Sequence, residues 1–304
     1  MKYKIVYMGT PHYAAEILKT LIEADDMDLS LVLTQPDRPV GRKKTLTPPP
    51  VKVLAEEHGV EVLQPSRLSE EGIEDAIRAQ NPDFIIVAAF GQILPQSILD
   101  IAPCINLHAS LLPKYRGASP VQQSLLNGDE KTGVTSMLME AGLDTGPILE
   151  KIEFIIPKEM RLFALMDQLT KDACTLTLST VRNFERITPE PQDESQATLC
   201  KKIKKRDGQI DFDDAELIYN KYRAFEGWPG IFAENGTKFD GLSLVESEKR
   251  HNTAEILAFE GESAIVGCNR GALKINMLQP ASKKAMTAKA YCVGRGRKVG
   301  DPIV

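Results

Sequence analysis

No stretch of about 18 apolar residues runs through this chain of 304 residues, so nothing in it reads as a helix that spans a bilayer. No Cys-x-x-Cys pair joins its five cysteines, Cys104, Cys174, Cys200, Cys268 and Cys292, and its four histidines do not cluster beside them. Neither a zinc site nor a disulfide framework is therefore expected, and the thiols read as reduced and structural. The full Gly-x-Gly-x-x-Gly spacing is also missing. Gly9-Thr10-Pro11 follows the first apolar run and reads as a tight strand-to-helix turn rather than a dinucleotide site. The opening residues, Met1 to Tyr7, lack the long apolar stretch of a secretory leader, so a cytoplasmic location is expected. Neither an internal repeat nor a low-complexity tract is present.

What is there is an ordinary globular composition, 42% hydrophobic and 26% charged, in a chain long enough for two cores. The net charge of −5 is unevenly spread. Residues 201–304 hold 18 Lys and Arg against 14 Asp and Glu, a balance of +4, which leaves −9 for the first 200. A basic module attached to an acidic one suits an anionic polymer, and equally a solvated surface.

Residues 4–8, 29–34 and 83–89 are short apolar runs rich in β-branched side chains, and they alternate with helical periodicity over 14–24, 51–58 and 70–80. That rhythm predicts an α/β domain built on a Rossmann-like, doubly wound and mostly parallel sheet, with ligands at the carboxyl ends of its strands. A helix is expected from Leu162 to Phe184. The stretch from Thr188 to Gln196, with Pro189 and Pro191 among polar residues, cannot continue it. Beyond it, short strand-like pieces separated by Gly and Asn turns predict a smaller OB-like β-barrel. The expected division is a catalytic domain over 1–186, a linker over 187–204 and a C-terminal domain over 205–304.

Strand alternation through Cys104-Ile105-Asn106-Leu107-His108 places Asn106 and His108 on one face, and an irregular loop starts at Ser110. An amide beside an imidazole is what acyl transfer to an amine requires: a donor for the oxyanion and a group that moves a proton between nitrogens. An isolated histidine there would read as a hydrogen-bonded core residue. Downstream, Asp144 lies between Gly142 and Gly146, where alone it would be a turn residue and paired with His108 would hold an imidazolium by charge. Ser110 has no Gly-x-Ser-x-Gly elbow, so an acyl-serine route is not expected.

The order Asn106-x-His108-x-Ser110-Leu111-Leu112-Pro113, then Arg116-Gly117, Pro120 and Gly142-Leu143-Asp144-Thr145-Gly146, resembles the catalytic core of the 10-formyltetrahydrofolate-dependent formyltransferases. The similarity extends along the chain through Thr34 to Arg42, Ala89 to Pro95 and Leu278 to Met286, and is greatest to those members that act on the methionine of initiator tRNA. The resemblance implies that Asn106, His108 and Asp144 are catalytic. It also implies that Phe90, Gly91, Gln92, Ile93, Leu94, Ser110, Leu111, Leu112, Pro113, Gly142 and Leu143 line the pocket for the formyl donor, 10-formyltetrahydrofolate, with no metal. His12, Tyr13, Met160, Arg161 and Ser282 depart from the family pattern.

Residues 37–50 form a basic insertion rich in residues unsuited to a regular element, expected as an exposed mobile loop beside the site. Arg42, Lys43 and Lys44 there, Lys204, Lys205 and Arg206 at the entrance to the second domain, and Lys283 and Lys284 near its end are the expected tRNA contacts. Tyr222, Phe225 and Trp228 read as packing residues. The resemblance implies initiator methionyl-tRNA as formyl acceptor, and a monomer is expected. The rival readings are transfer to a sugar nucleotide or other small amine, a noncatalytic RNA-binding module, and a nicotinamide-dependent oxidoreductase.

Overall fold

The computed structural model describes residues 2–41 and 43–304, so Arg42 lies outside the described residues. Contacts divide the chain into two compact units. The first comprises Met1–Pro120, Lys131–Ile155 and Met166–Cys200, and the second Val121–Glu130, Ile156–Leu165 and Lys201–Val304.

The first unit is built on a seven-stranded sheet of β1 (Tyr3–Gly9), β2 (Met27–Leu33), β3 (Val62–Leu63), β4 (Phe84–Ala88), β5 (Cys104–His108), β6 (Lys131–Leu138) and β7 (Ile148–Ile155). Its order is β7-β6-β5-β4-β1-β2-β3, and it is parallel from β3 to β5. The last two strands, β6 and β7, are antiparallel. All five residues of β4 and of β5 are buried, as expected of strands covered on both faces. Val6, Met8, Leu31, Leu33, Ile85 and Val87 pack with Ile77, Phe90, Leu94 and Ile98 on one face. Each such side chain taken fully out of water contributes roughly 1.5–3 kcal/mol.

The chain leaves β1 in one direction toward β2 and in the other toward β4, so the crevice between β1 and β4 is the switch point where such sheets bind ligands. Thr10, just after β1, donates its hydroxyl to the carbonyl of Phe90, just after β4, at 3.3 Å. The predicted helices appear as His12–Glu23, Pro50–Glu57 and Ile73–Ala79, and the long one spans Leu162–Asn183.

The second unit carries a six-stranded antiparallel sheet of β8 (Ile231–Phe232), β9 (Lys238–Glu246), β10 (Ile256–Glu260), β11 (Ser263–Gly267), β12 (Ala272–Gln279) and β13 (Met286–Thr287). Its path is β8-β9-β12-β11-β10, with β13 also on β12, an arrangement compatible with an OB-like barrel. Tyr222 and Phe225 are buried as expected, whereas Trp228 is exposed and does not pack as predicted.

The basic insertion also differs from its expectation. Arg38–Val40 and Thr45–Thr47 pair as a short antiparallel hairpin instead of an irregular loop. Val40, Thr45 and Thr47 supply β-branched side chains, while Gly41 and Lys44 take the positive φ that lets the chain reverse. Every residue of both strands is exposed, as anticipated.

Candidate active site

The parallel register that buries β5 brings Asn106 and His108 to its carboxyl end on the same face, the two residues 8% and 6% exposed. After β5 the chain turns at once, and the Ser110 amide returns to the His108 carbonyl at 2.9 Å. The Ser110 hydroxyl donates to the Lys114 carbonyl at 2.6 Å and is fully buried, so it shapes this turn. Leu112 is anchored through its amide to Thr135 Oγ1 at 3.1 Å and packs on Met137 and Ile148.

The turn delivers the Tyr115 carbonyl to His108 Nε2 at 2.9 Å. A carbonyl can only accept, so Nε2 carries the proton and Nδ1 of the neutral ring carries the lone pair. Nδ1 faces Asp144 Oδ2 at 3.7 Å. Asp144 accepts from Asn106 Nδ2 on Oδ1 at 3.3 Å and from the Gly117 amide on Oδ2 at 2.8 Å. The three residues separated by 38 positions in sequence thus form one constellation, its carboxylate fixed by two donors and set beside an imidazole edge. Asn106 keeps a second N–H on the same nitrogen to offer to a ligand.

Backbone geometry makes this possible. Asp144 adopts a φ of 52°, in the left-handed region. Gly117 sits at φ 117°, where an added Cβ would lie 2.4 Å from the Cys200 carbonyl oxygen. A residue with a side chain could not bring its amide to Asp144 there.

The remaining predicted pocket residues lie on two loops. Phe90 and Leu94 are buried in the sheet core, while Gly91 and Ile93 are exposed, Ile93 by 79%. Gln92 is tied down, accepting from the Leu68 amide at 3.0 Å and donating to the Pro65 carbonyl at 3.1 Å. Gly142 and Leu143 are exposed, next to Asp144. The hairpin of the basic insertion is rooted here as well. Gln35 donates to the Phe90 carbonyl at 3.1 Å, and Asp37 accepts from Gln64 at 2.7 Å and Lys52 at 3.1 Å. The hydrogen bonds from Gln64 and Lys52 hold the Asp37 carboxyl below the usual range.

Lys43, Lys44, Lys204, Lys205, Arg206, Lys283 and Lys284 are all exposed. Arg295 and Arg297 are engaged within their own segment, Arg295 over the Tyr291 ring at 3.9 Å and Arg297 on the Pro302 carbonyl. No group of His, Cys, Asp and Glu that could hold a metal occurs among the described residues.

Sequence reasoning missed the second ring of the site. Arg116, 4% exposed, donates from Nε and Nη2 to Gln192 Oε1 at 3.0 and 2.9 Å and from Nη1 and Nη2 to Glu194 at 2.9 and 2.7 Å. Gln192 Nε2 donates to the Asp144 and Gly146 carbonyls at 2.8 and 2.7 Å. Gln192 and Glu194 belong to a stretch whose prolines and polar residues read locally as a connector, and no local pattern marks them otherwise.

Residues 1–181 match the family "Formyl transferase" and residues 202–296 match "Formyl transferase, C-terminal domain". The chain is 83% identical over 304 residues, the whole of both proteins, to a methionyl-tRNA formyltransferase of Sulfurovum sp.. It is 51% identical to that of Nitratiruptor sp. over 98% of this chain and 99% of the other. An N-formyltransferase from Helicobacter canadensis, solved with folinic acid and dTDP-3-aminofucose, shares the fold, with a TM-score of 0.68, 17% identity and coverage of 90% and 98%.

Proposed function

The chain belongs to the formyltransferase family, among the methionyl-tRNA formyltransferases, and from that premise we propose that Asn106, His108 and Asp144 carry formyl transfer from 10-formyltetrahydrofolate to the α-amino group of methionine on initiator tRNA. The observation that carries the assignment is the constellation itself. His108 Nε2 is committed to Tyr115, which leaves Nδ1 facing the Asp144 carboxylate that Asn106 and Gly117 hold in place.

The reaction exchanges one C–N bond for another. The neutral amine attacks the formyl carbon, and the carbonyl oxygen gathers negative charge. The second N–H of Asn106 donates to that oxygen. As the new C–N bond forms, the attacking nitrogen becomes acidic. His108 Nδ1 takes its proton, and the carboxylate of Asp144 stabilises the resulting imidazolium. Returning the proton to N10 of the departing folate lets the old C–N bond break and leaves His108 neutral again. No covalent bond to the enzyme forms.

For the donor, the exposed Ile93 and Leu143 supply apolar surface beside the bendable backbone of Gly91 and Gly142, while Phe90 and Leu94 anchor the first loop from the core and Ser110, Leu111, Leu112, Pro113 and Gln92 shape the loops. That donor set suits a pterin, which needs backbone polar groups inside an apolar slot. For the acceptor, Arg42, Lys43, Lys44, Lys204, Lys205, Arg206, Lys283 and Lys284 supply phosphate-binding charge. The enzyme works as a cytoplasmic monomer in this reading.

The test supplies the formyl donor with charged initiator tRNA and, separately, with small amines including amino-sugar nucleotides. Formylation of the charged tRNA is expected. Transfer to small amines and not to tRNA would overturn the acceptor assignment.

A further inference from the structure

We propose that Gln192 is a positioning residue for the reaction, and that the segment Glu190–Cys200 is a strap that holds both partners of His108 in register. The proposal rests on the reading of Asp144 as a catalytic group.

The strap is tied at both ends. Glu190 exchanges two backbone hydrogen bonds with Ile148, both 2.8 Å. Leu199–Cys200 pairs in parallel with Arg116–Gly117. Between these ends it reaches the two groups that flank the imidazole. On one side, the Thr198 hydroxyl accepts from the Tyr115 amide at 2.9 Å and the Thr198 carbonyl accepts from the Arg116 amide at 2.9 Å. That fixes the peptide whose carbonyl accepts the hydrogen bond from His108 Nε2. On the other side, Gln192 spends both N–H groups on the carbonyls of Asp144 and Gly146.

The orientation of the Gln192 amide is dictated by its neighbours. Arg116 can only donate, so the oxygen must face it and the nitrogen must face the two carbonyls. Glu194 neutralises Arg116, and that guanidinium in turn holds the Glu194 carboxyl below its usual range. The resulting chain Glu194–Arg116–Gln192–Asp144 polarises each member toward the next.

The held conformation needs such support. A non-glycine residue in the left-handed region is held away from the common backbone conformations and persists when surrounding contacts fix it. Asp144 is such a residue, with φ 52°. Its carbonyl and that of Gly146 are the two handles that Gln192 grips, while its carboxylate stays with Asn106 and Gly117. Release of the handles lets the loop relax and the carboxylate drift from His108 Nδ1. A misplacement of about 1 Å costs on the order of 10²-fold in rate.

The experiment uses the full chain with formyl donor and charged initiator tRNA, comparing wild type, Gln192→Glu, Gln192→Met, Asp144→Asn and the double variant Gln192→Met with Asp144→Asn. Gln192→Glu keeps the shape and the two bonds from Arg116 but loses both donors. Gln192→Met keeps the stem and loses all four bonds. Both are expected to lower kcat on the order of 10²-fold with KM for either substrate within about threefold, the signature of support felt only in the transition state. On the Asp144→Asn background, Gln192→Met is expected to add less than about threefold, because the two residues act as a unit. A kcat within about twofold of wild type in both Gln192 variants would overturn the proposal, as would a full additive loss in the double variant. Failure of both variants to fold would also overturn it, by making Gln192 a folding residue. An unimpaired Asp144→Asn would instead strike the catalytic reading of Asp144, and the strap proposal with it.

Discussion

His108 donates a hydrogen bond from Nε2–H to the carbonyl oxygen of Tyr115 at 2.9 Å. This bond settles the tautomer of the neutral ring, and with it the direction in which the imidazole can accept a proton. Nδ1 is left as the basic atom, and it is the atom that faces Asp144. General acid–base chemistry depends on that orientation as much as on the residue type.

Replacement of His108 by alanine is expected to lower kcat by about 10²–10⁴-fold, the usual contribution of a positioned proton carrier. Binding of the formyl donor, measured by fluorescence or calorimetry, should persist within a few-fold. Equal losses of binding and rate would make His108 a structural residue.

The exposed hairpin and its turn are expected to contribute affinity through charge. Arg42→Ala, Lys43→Ala and Lys44→Ala should each weaken use of tRNA, and each lost phosphate contact should reduce the slope of log affinity against log salt by about one. Formylation of a minimal small-molecule acceptor, where measurable, should be unchanged. A tRNA response with unaltered salt slope in all three variants would remove the hairpin from recognition.

Burial pushes the Cys104 and Cys268 thiols up to about 12, with Asp211, Asp213 and Asp214 adding to the effect at Cys268. At pH 8 only about one in ten thousand of either is thiolate, and the thiolate is the reactive form. A thiol reagent at pH 8 should therefore leave both unlabelled in the native protein and label them after unfolding. Because the folded state binds these protons more tightly, their contribution to stability is present at neutral pH and fades as pH rises from about 9 toward about 12. Native-state labelling of Cys104 at the unfolded rate would contradict its placement.

Ser282 stands in the third position of a turn in which the Lys283 amide bonds to the Pro280 carbonyl at 3.1 Å, and its φ is 61°. A glycine fits that position without a Cβ penalty, at the cost of a more flexible unfolded chain. Ser282→Gly is expected to stabilise the protein by about 0.5–1 kcal/mol in denaturant unfolding, the difference of those two effects. A destabilised variant would show that the serine side chain contributes something more.

The alternation of apolar runs with helical periodicity determined the order of elements in the first unit, because parallel strands buried on both faces must be continuously apolar. Asn106 and His108 were legible as a pair because strand geometry repeats every two residues. The hairpin of Arg38–Val40 and Thr45–Thr47 reads as a loop because Pro39, Gly41 and the run Pro48 to Pro50 mask the β-branched residues that pair. What sequence alone determined, then, was the sheet, the candidate residues at its carboxyl edge and the family. Which nitrogen of His108 is free, and what holds Asp144 against it, was decided by tertiary structure. Those features depend on Tyr115, Gly117 and Gln192, which reach the site through hydrogen bonds spanning 7, 27 and 48 positions that leave no periodic trace in the chain. The segment from Glu190 to Cys200 reads as a connector because it lacks apolar periodicity. It is ordered because its polar groups find partners on the loops around His108.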